Sequence, residues 1–263
     1  MRLMVLILTL ALASMAQTSS SSDPKALYTQ AMNKLTGTGP NRSDLTGADL
    51  MTRAADLGYL PALLAAGNIY EGGIASVAAN PGRSADYYKK AASQGSHLAE
   101  YLLGRLYFLG VYGPSRRDGE KWLQSAADSG NPFASYLLAL LIDERDPAGA
   151  LRRFRVAAEQ GLPYAQYRLG RALTEGRAVP VNKREAYLWL FVAAEYGVAE
   201  AATQASLLES DLGTTETEKA KAEAREMQNK YRRPVVASGC TGWSGELDAI
   251  PTPPPIQLQQ FCN

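Results

Sequence analysis

The segment AADLG, beginning at Ala54, returns in close variants as AASQG from Ala91, AADSG from Ala126, AAEQG from Ala157 and AAEYG from Ala193, at intervals of 37, 35, 31 and 36 residues. A five-residue phrase renewed at such intervals restricts the fold more than composition does, because each copy must meet the same local environment. Aligned on Gly58, Gly95, Gly130, Gly161 and Gly197, the following residues stay in register. Alanine stands four positions on, at Ala62, Ala99, Ala134, Ala165 and Ala201, and a small residue nine on, at Gly67, Gly104, Ala139, Gly170 and Ser206. Apolar residues stand eight and eleven on, as in Leu103/Leu106 and Leu138/Leu141. Offsets of four, eight and eleven lie on one side of an α-helix. Small side chains at fixed places on that side let a second helix approach closely.

The second helix is the segment before the next AA pair, as in RSADYYKKAASQG, RRDGEKWLQSAADSG and NKREAYLWLFVAAEYG. A large residue stands four before the pair, at Tyr87, Trp122 and Trp189, and a small one seven before it, at Ser84, Gly119 and Ala186. The AA pair then belongs to the last turn of this helix, and the glycine breaks it, so that AAxxG is a tight corner between helices. Pro61, Pro132 and Pro163 suit the first turn of the helix that follows. Paired helices at a period in the thirties predict an all-α fold: a right-handed α-solenoid of antiparallel helix hairpins, an α/α superhelix with an irregular C-terminal tail.

These residues carry a family resemblance. The pattern AAxxGxxxAxYxLGxxYxxG, nearly whole in AASQGSHLAEYLLGRLYFLG and AAEQGLPYAQYRLGRALTEG, resembles the Sel-1-like repeat, a relative of the tetratricopeptide repeat, over roughly Leu45 to Glu209. The copy from Ala126 departs from it: DERDP replaces the glycine-containing loop, which predicts a tight, Asp/Pro-capped connection. Flanking helices are expected from DPKALYTQAMNKL upstream and TTETEKAKAEAREMQNKYRR downstream, the latter as a polar end cap.

The N-terminus reads as a secretory signal: Arg2, an apolar run from Leu3 to Ala13, and Ser14-Met15-Ala16 at the cleavage point, with a retained membrane anchor as the other reading of the same segment. The expected organisation is a cleaved signal peptide over 1–16, a linker over 17–22, a repeat domain over 23–233 and a Pro-rich tail over 234–263. Periplasmic or secreted localisation follows from the signal. In an oxidising compartment Cys240 and Cys262 are expected to pair in a disulfide that closes the tail; two independent thiols are the alternative. The chain carries 27 Lys+Arg against 26 Asp+Glu, so no long-range field draws it to nucleic acid or to an anionic membrane.

No catalytic set stands out. His97 is the single histidine, at the start of a repeat helix, so neither a metal cluster nor a bound cofactor is expected. Tyr101, Tyr136 and Tyr167 recur six residues after their glycines, either as an aromatic ladder or, as the family pattern favours, as packing between hairpins. Asn68, Glu100, Arg105, Gln166, Arg168 and Arg171 fall where the small-residue side turns away, and are expected to project from the inner helices onto a concave surface of the kind that binds peptides. Reversing Arg105 and Arg171 together is then expected to weaken capture and leave the thermal melt nearly unchanged.

Together these readings point to an exported, non-enzymatic interaction scaffold that binds a protein or peptide on its concave face. The resemblance also implies an alternative, a secreted protein that binds peptidoglycan fragments or binds and hydrolyses β-lactams. Members of that kind staple each repeat with its own cysteine pair, whereas both cysteines here lie outside the repeats. The tail itself, docked in the groove or presented to a partner, is a third possibility.

Overall fold

The structure, a computed structural model, describes residues 23–37, 40, 42–74, 77–113 and 116–231. The expected signal segment, the Pro-rich tail and the Cys240–Cys262 pairing lie outside the described residues. Twelve helices occupy the described residues: α1 (Pro24–Thr36), α2 (Asp44–Asp56), α3 (Leu60–Gly72), α4 (Pro81–Ser93), α5 (His97–Phe108), α6 (Arg116–Asp128), α7 (Pro132–Ile142), α8 (Pro147–Glu159), α9 (Pro163–Glu175), α10 (Lys183–Glu195), α11 (Ala199–Leu212) and α12 (Thr214–Tyr231). They form two compact units, one through Ser96 with α1–α4 and one from His97 with α5–α12.

All five AAxxG corners have one geometry. Their glycines sit at φ 82°, 87°, 92°, 87° and 89°, a backbone region that side chains with a Cβ avoid. In the first corner the Gly58 amide donates to the carbonyl of Ala55 at 2.9 Å and the Tyr59 amide to Ala54 at 3.2 Å. The same two bonds recur at Gly95/Ser96, Gly130/Asn131, Gly161/Leu162 and Gly197/Val198. This is a Schellman ending, in which the two alanine carbonyls receive the donors that the helix end leaves them without. Each corner takes three residues, 57–59, 94–96, 129–131, 160–162 and 196–198.

The other connections, apart from the single residue Gly213 between α11 and α12, are longer, and three of them are capped at their far end by Asn or Asp. Asn80, Asp146 and Asn182 accept from the amides of Arg83, Gly149 and Glu185 at 3.0, 2.8 and 3.1 Å. The expected Asp/Pro-capped turn is present: residues 143–146 alone join α7 to α8, with Asp146 as cap and Pro147 in the first helical turn.

In the first unit α1 packs on α2 and α3 on α4; in the second α5 packs on α6, α7 on α8 and α9 on α10. The first helix of these pairs is deeply enclosed, as in α3, where Ala62 through Tyr70 are all buried. Its partner is amphipathic, as in α6, which buries Gly119, Leu123, Ala126 and Ala127. The small-residue slot is where the two meet. A Cβ on Gly67 would lie 2.3 Å from Tyr88 Cε1, one on Gly104 2.7 Å from Leu123 Cγ, and one on Gly170 2.6 Å from Leu190 Cγ.

The residue filling each notch therefore stands three before the AA pair, whereas the large residues four before it point elsewhere. Tyr87 stacks on Tyr70 at 5.9 Å, and Trp189 stacks on Tyr231 of α12 at 5.5 Å. Trp122 is half-buried and lies at the edge of the core. Adjacent helix positions differ by about 100°, enough to direct one into the notch and the other past it.

The last helix lies against α10 as well as α11. Arg184 binds Glu216 at 2.7 Å and Glu223 at 2.5 Å, and the Tyr187 hydroxyl donates to Glu209 at 2.8 Å. The outer side of α12 is polar, as expected of an end cap. Ser206, in the slot that elsewhere receives the second helix of a pair, is exposed.

Candidate functional site

The six residues expected on a solvent-facing surface separate into buried and accessible sets. Asn68 on α3 in the first unit is 7% exposed, Arg105 on α5 1% and Gln166 on α9 0%. These three are interior residues, contrary to expectation. In α3 and α5 neighbouring packing encloses the whole helix, so a position that turns away from the notch still turns toward protein. Gln166 has a structural task there: its Nε2 donates to the Ala158 carbonyl at 3.2 Å, tying the start of α9 to the end of α8.

Glu100 is also largely covered and joins two helices. Its Oε1 accepts from Ser125 Oγ of α6 at 2.8 Å, and its Oε2 lies 3.0 Å from His97 Nδ1. The serine proton is thus directed to the carboxylate and not to the imidazole. Tyr101 and Tyr136 are buried packing residues, and Tyr167 alone of the three is half-exposed.

Arg168 and Arg171 are the two expected residues that the structure brings together at an accessible place. They share a side of α9 with Tyr164 and Tyr167, and all four are half-exposed. Both arginines line a cleft whose far wall is Pro147, Leu151 and Phe154 of α8 and whose rim carries Asp143, Glu175 and Arg177. The cleft encloses about 30 Å³, room for a water or two and far below the several hundred Å³ of an ordinary small-molecule site.

The charges in this cleft are partly committed to one another. Arg171 donates to Glu175 through Nε at 3.1 Å and Nη2 at 2.8 Å, which raises its pKa further above the ordinary guanidinium value. It also lies 5.8 Å from the centre of the Tyr167 ring. Arg177 reaches back to the tight turn, where it meets the Asp143 carboxylate and the Asp143 carbonyl, each at 3.1 Å. The Arg168 guanidinium lies beside the Tyr136 hydroxyl; burial pushes that hydroxyl's pKa up, and the neighbouring guanidinium only partly opposes the rise.

Asp143, Glu175 and Arg177 were not singled out in the sequence, because they come from two connections and a helix end that converge only in the fold. A signal for the cleft does exist: seven residues after the five glycines stand Ala65, Leu102 and Leu137, then the polar Arg168 and Gln204. Among the described residues, no group of three or more His, Cys, Asp or Glu side chains is placed to hold a metal ion, and no helix is long and apolar enough to cross a membrane.

The helix pairs have known relatives. The Sel1 repeat family model matches residues 26–59, 60–96, 97–131 and 163–197. Its first block takes in α1, upstream of the resemblance seen in the sequence, and the unmatched 132–162 is the α7–α8 pair with the shortened turn. Chitin synthase regulatory factor 3 of Schizosaccharomyces pombe is 33% identical over 129 residues, 46% of this chain and 14% of that protein, so the chain spans only about a seventh of the length of this relative.

Among solved structures, a protective antigen of uropathogenic Escherichia coli strains displaying an SLR fold gives a TM-score of 0.71 at 22% identity, over 82% of this chain and 48% of the other. A Sel1 repeat protein from Oxalobacter formigenes gives 0.63 at 24% identity, over 80% and 86%. These likenesses establish the all-α, α-solenoid class of repeat fold. With its AAxxG corners, its glycine notches and family matches over more than half its residues, the chain belongs to the Sel1 repeat family.

Proposed function

We propose that the chain is an exported, non-enzymatic scaffold that captures a protein partner on the α9 face of its second unit. As a Sel1 repeat protein it is of a helical class that typically mediates protein–protein interaction. The observation that carries the reading is the change of character at α9. Where α5 and α7 are enclosed by apolar packing, α9 presents two half-exposed tyrosines and two half-exposed arginines along one side. Aromatic rings and arginine are the side chains most enriched where proteins bind one another. A cleft this small suits a contact point within a larger surface better than a reaction chamber. Export rests on the apolar run and small-residue cleavage point at the N-terminus.

The test is capture of partners from the native envelope by the tagged full-length chain, identified by mass spectrometry and repeated with purified components. Substituting Arg168 and Arg171 together, by leucine and glutamine, is expected to abolish the purified interaction while the far-UV circular dichroism is unchanged. Undiminished binding by that variant rejects the α9 face. A mature N-terminus at Gln17 in the exported fraction is the expected mark of processing, and an intact Met1 there refutes it.

A further inference from the structure

We infer that the α9 cleft recognises a carboxylate, from an acidic side chain or from the C-terminus of a partner peptide, and that Arg168 is the residue that binds it. This rests on α9 being the partner-binding face.

The slot that Arg168 occupies is apolar and buried in the preceding copies, where Ala65, Leu102 and Leu137 fill it. An arginine there gives up side-chain freedom and apolar contact that a leucine would retain. The three guanidinium groups of the cleft face two carboxylates. Arg171 is held by Glu175 and Arg177 by Asp143, whereas Arg168 has no carboxylate within ion-pair distance among the described residues. Its neighbour is the neutral Tyr136 hydroxyl, which does not neutralise it.

The cleft therefore keeps one uncompensated positive charge. Phe154 and Leu151 form a wall of low polarity beside it, which strengthens any ion pair made there. A planar guanidinium matches a carboxylate by two parallel hydrogen bonds. The volume admits a carboxylate head group and little more. A phosphate, with its greater charge, would call on several uncommitted cations, and only one is available.

The test is fluorescence anisotropy of labelled decapeptides with the full-length chain. The probes are a peptide with four glutamates and its glutamine counterpart, each as free acid and as C-terminal amide, and a phosphoserine peptide. At least one carboxylate-bearing probe is expected to bind at least tenfold more tightly than the glutamine amide. Retention by the glutamate amide assigns the site to side-chain carboxylates, and retention by the glutamine free acid assigns it to the chain terminus. Arg168→Leu installs the residue that α5 and α7 carry in this slot, so it is expected to keep the fold and lose at least tenfold in affinity; Arg168→Lys is expected to retain part.

The inference is overturned if no carboxylate probe exceeds the glutamine amide, if Arg168→Leu binds as the parent does, or if the phosphoserine peptide binds best. Should the peptides fail while Arg168→Leu still abolishes capture of the native partner, the carboxylate assignment falls and the α9 face stands. If capture is also unaffected, both fall.

Discussion

The same substitution at two glycines of one helix should have opposite signs. Gly67 and Gly72 both lie in α3. Replacing an interior helical glycine by alanine favours the helix by up to about 1 kcal/mol through reduced backbone freedom in the unfolded chain. At Gly72, where a Cβ meets nothing within 4 Å, that gain is unopposed, though the terminal position reduces it to about half.

At Gly67 the Cβ would lie 2.3 Å from Tyr88 Cε1 and 2.6 Å from Cδ1. The ring cannot swing aside freely, since Tyr88 is fully buried and its hydroxyl donates to Glu71 at 3.1 Å. Overpacking of this kind costs about 1–3 kcal/mol. Net of the backbone gain, Gly67→Ala should lower stability by about 1–2 kcal/mol, whereas Gly72→Ala should raise it by about 0.5 kcal/mol. Urea titration followed by circular dichroism reads both changes as shifts of the midpoint at unchanged slope. If Gly67→Ala proves as stabilising as Gly72→Ala, the notch is not the close contact argued for, and the packing account of the repeat fails.

Two further perturbations separate interior from surface charge. Arg105→Glu places a reversed charge at a buried position and should cost several kcal/mol, while Arg171→Glu, at a partly exposed ion pair, should cost about 1 kcal/mol or less; equal urea midpoints for the two would contradict their placement. Glu209 is held below the ordinary carboxyl value of 4.5, first by the Tyr187 hydroxyl and then by Lys221. Because its pKa is depressed in the folded state, its contribution is present above the unfolded value and lost as pH falls through the folded one. Glu209→Gln should therefore be less stable than the parent near pH 7 and converge with it as the pH falls below the folded carboxyl value, and a gap that persists undiminished on acidification would refute the linkage.

The corners and the notches were readable in the sequence because they demand glycine or alanine, and few environments demand those so strictly. The identity of the side chain in the notch was not, since Tyr87 and Tyr88, or Trp189 and Leu190, are both large and only the helix rotation chooses between them. Arg105 and Gln166 were misplaced for a related reason: polar residues are rarely interior, and no local pattern distinguishes a helix enclosed on every side from one half in water. Arg168 and Arg171 could be found by their spacing. Their neighbours Asp143 and Arg177 could not, because the connection that brings them together depends on how short the turn before Asp146 is.

The three-residue corners also decide where a chain of this kind can change length. Between the two helices of the five pairs from α1–α2 to α9–α10 the connection runs from four residues at 143–146 to eight at 73–80. At the opposite end every connection keeps the same count and the same two backbone bonds. One residue spliced into 160–162 would break the register of the two bonds from Gly161 and Leu162 to the alanine carbonyls and so displace α9, with Arg168, from its seat on α8. Extra residues at the other end only enlarge a loop, so natural or engineered decoration has one permissive border and one that tolerates none.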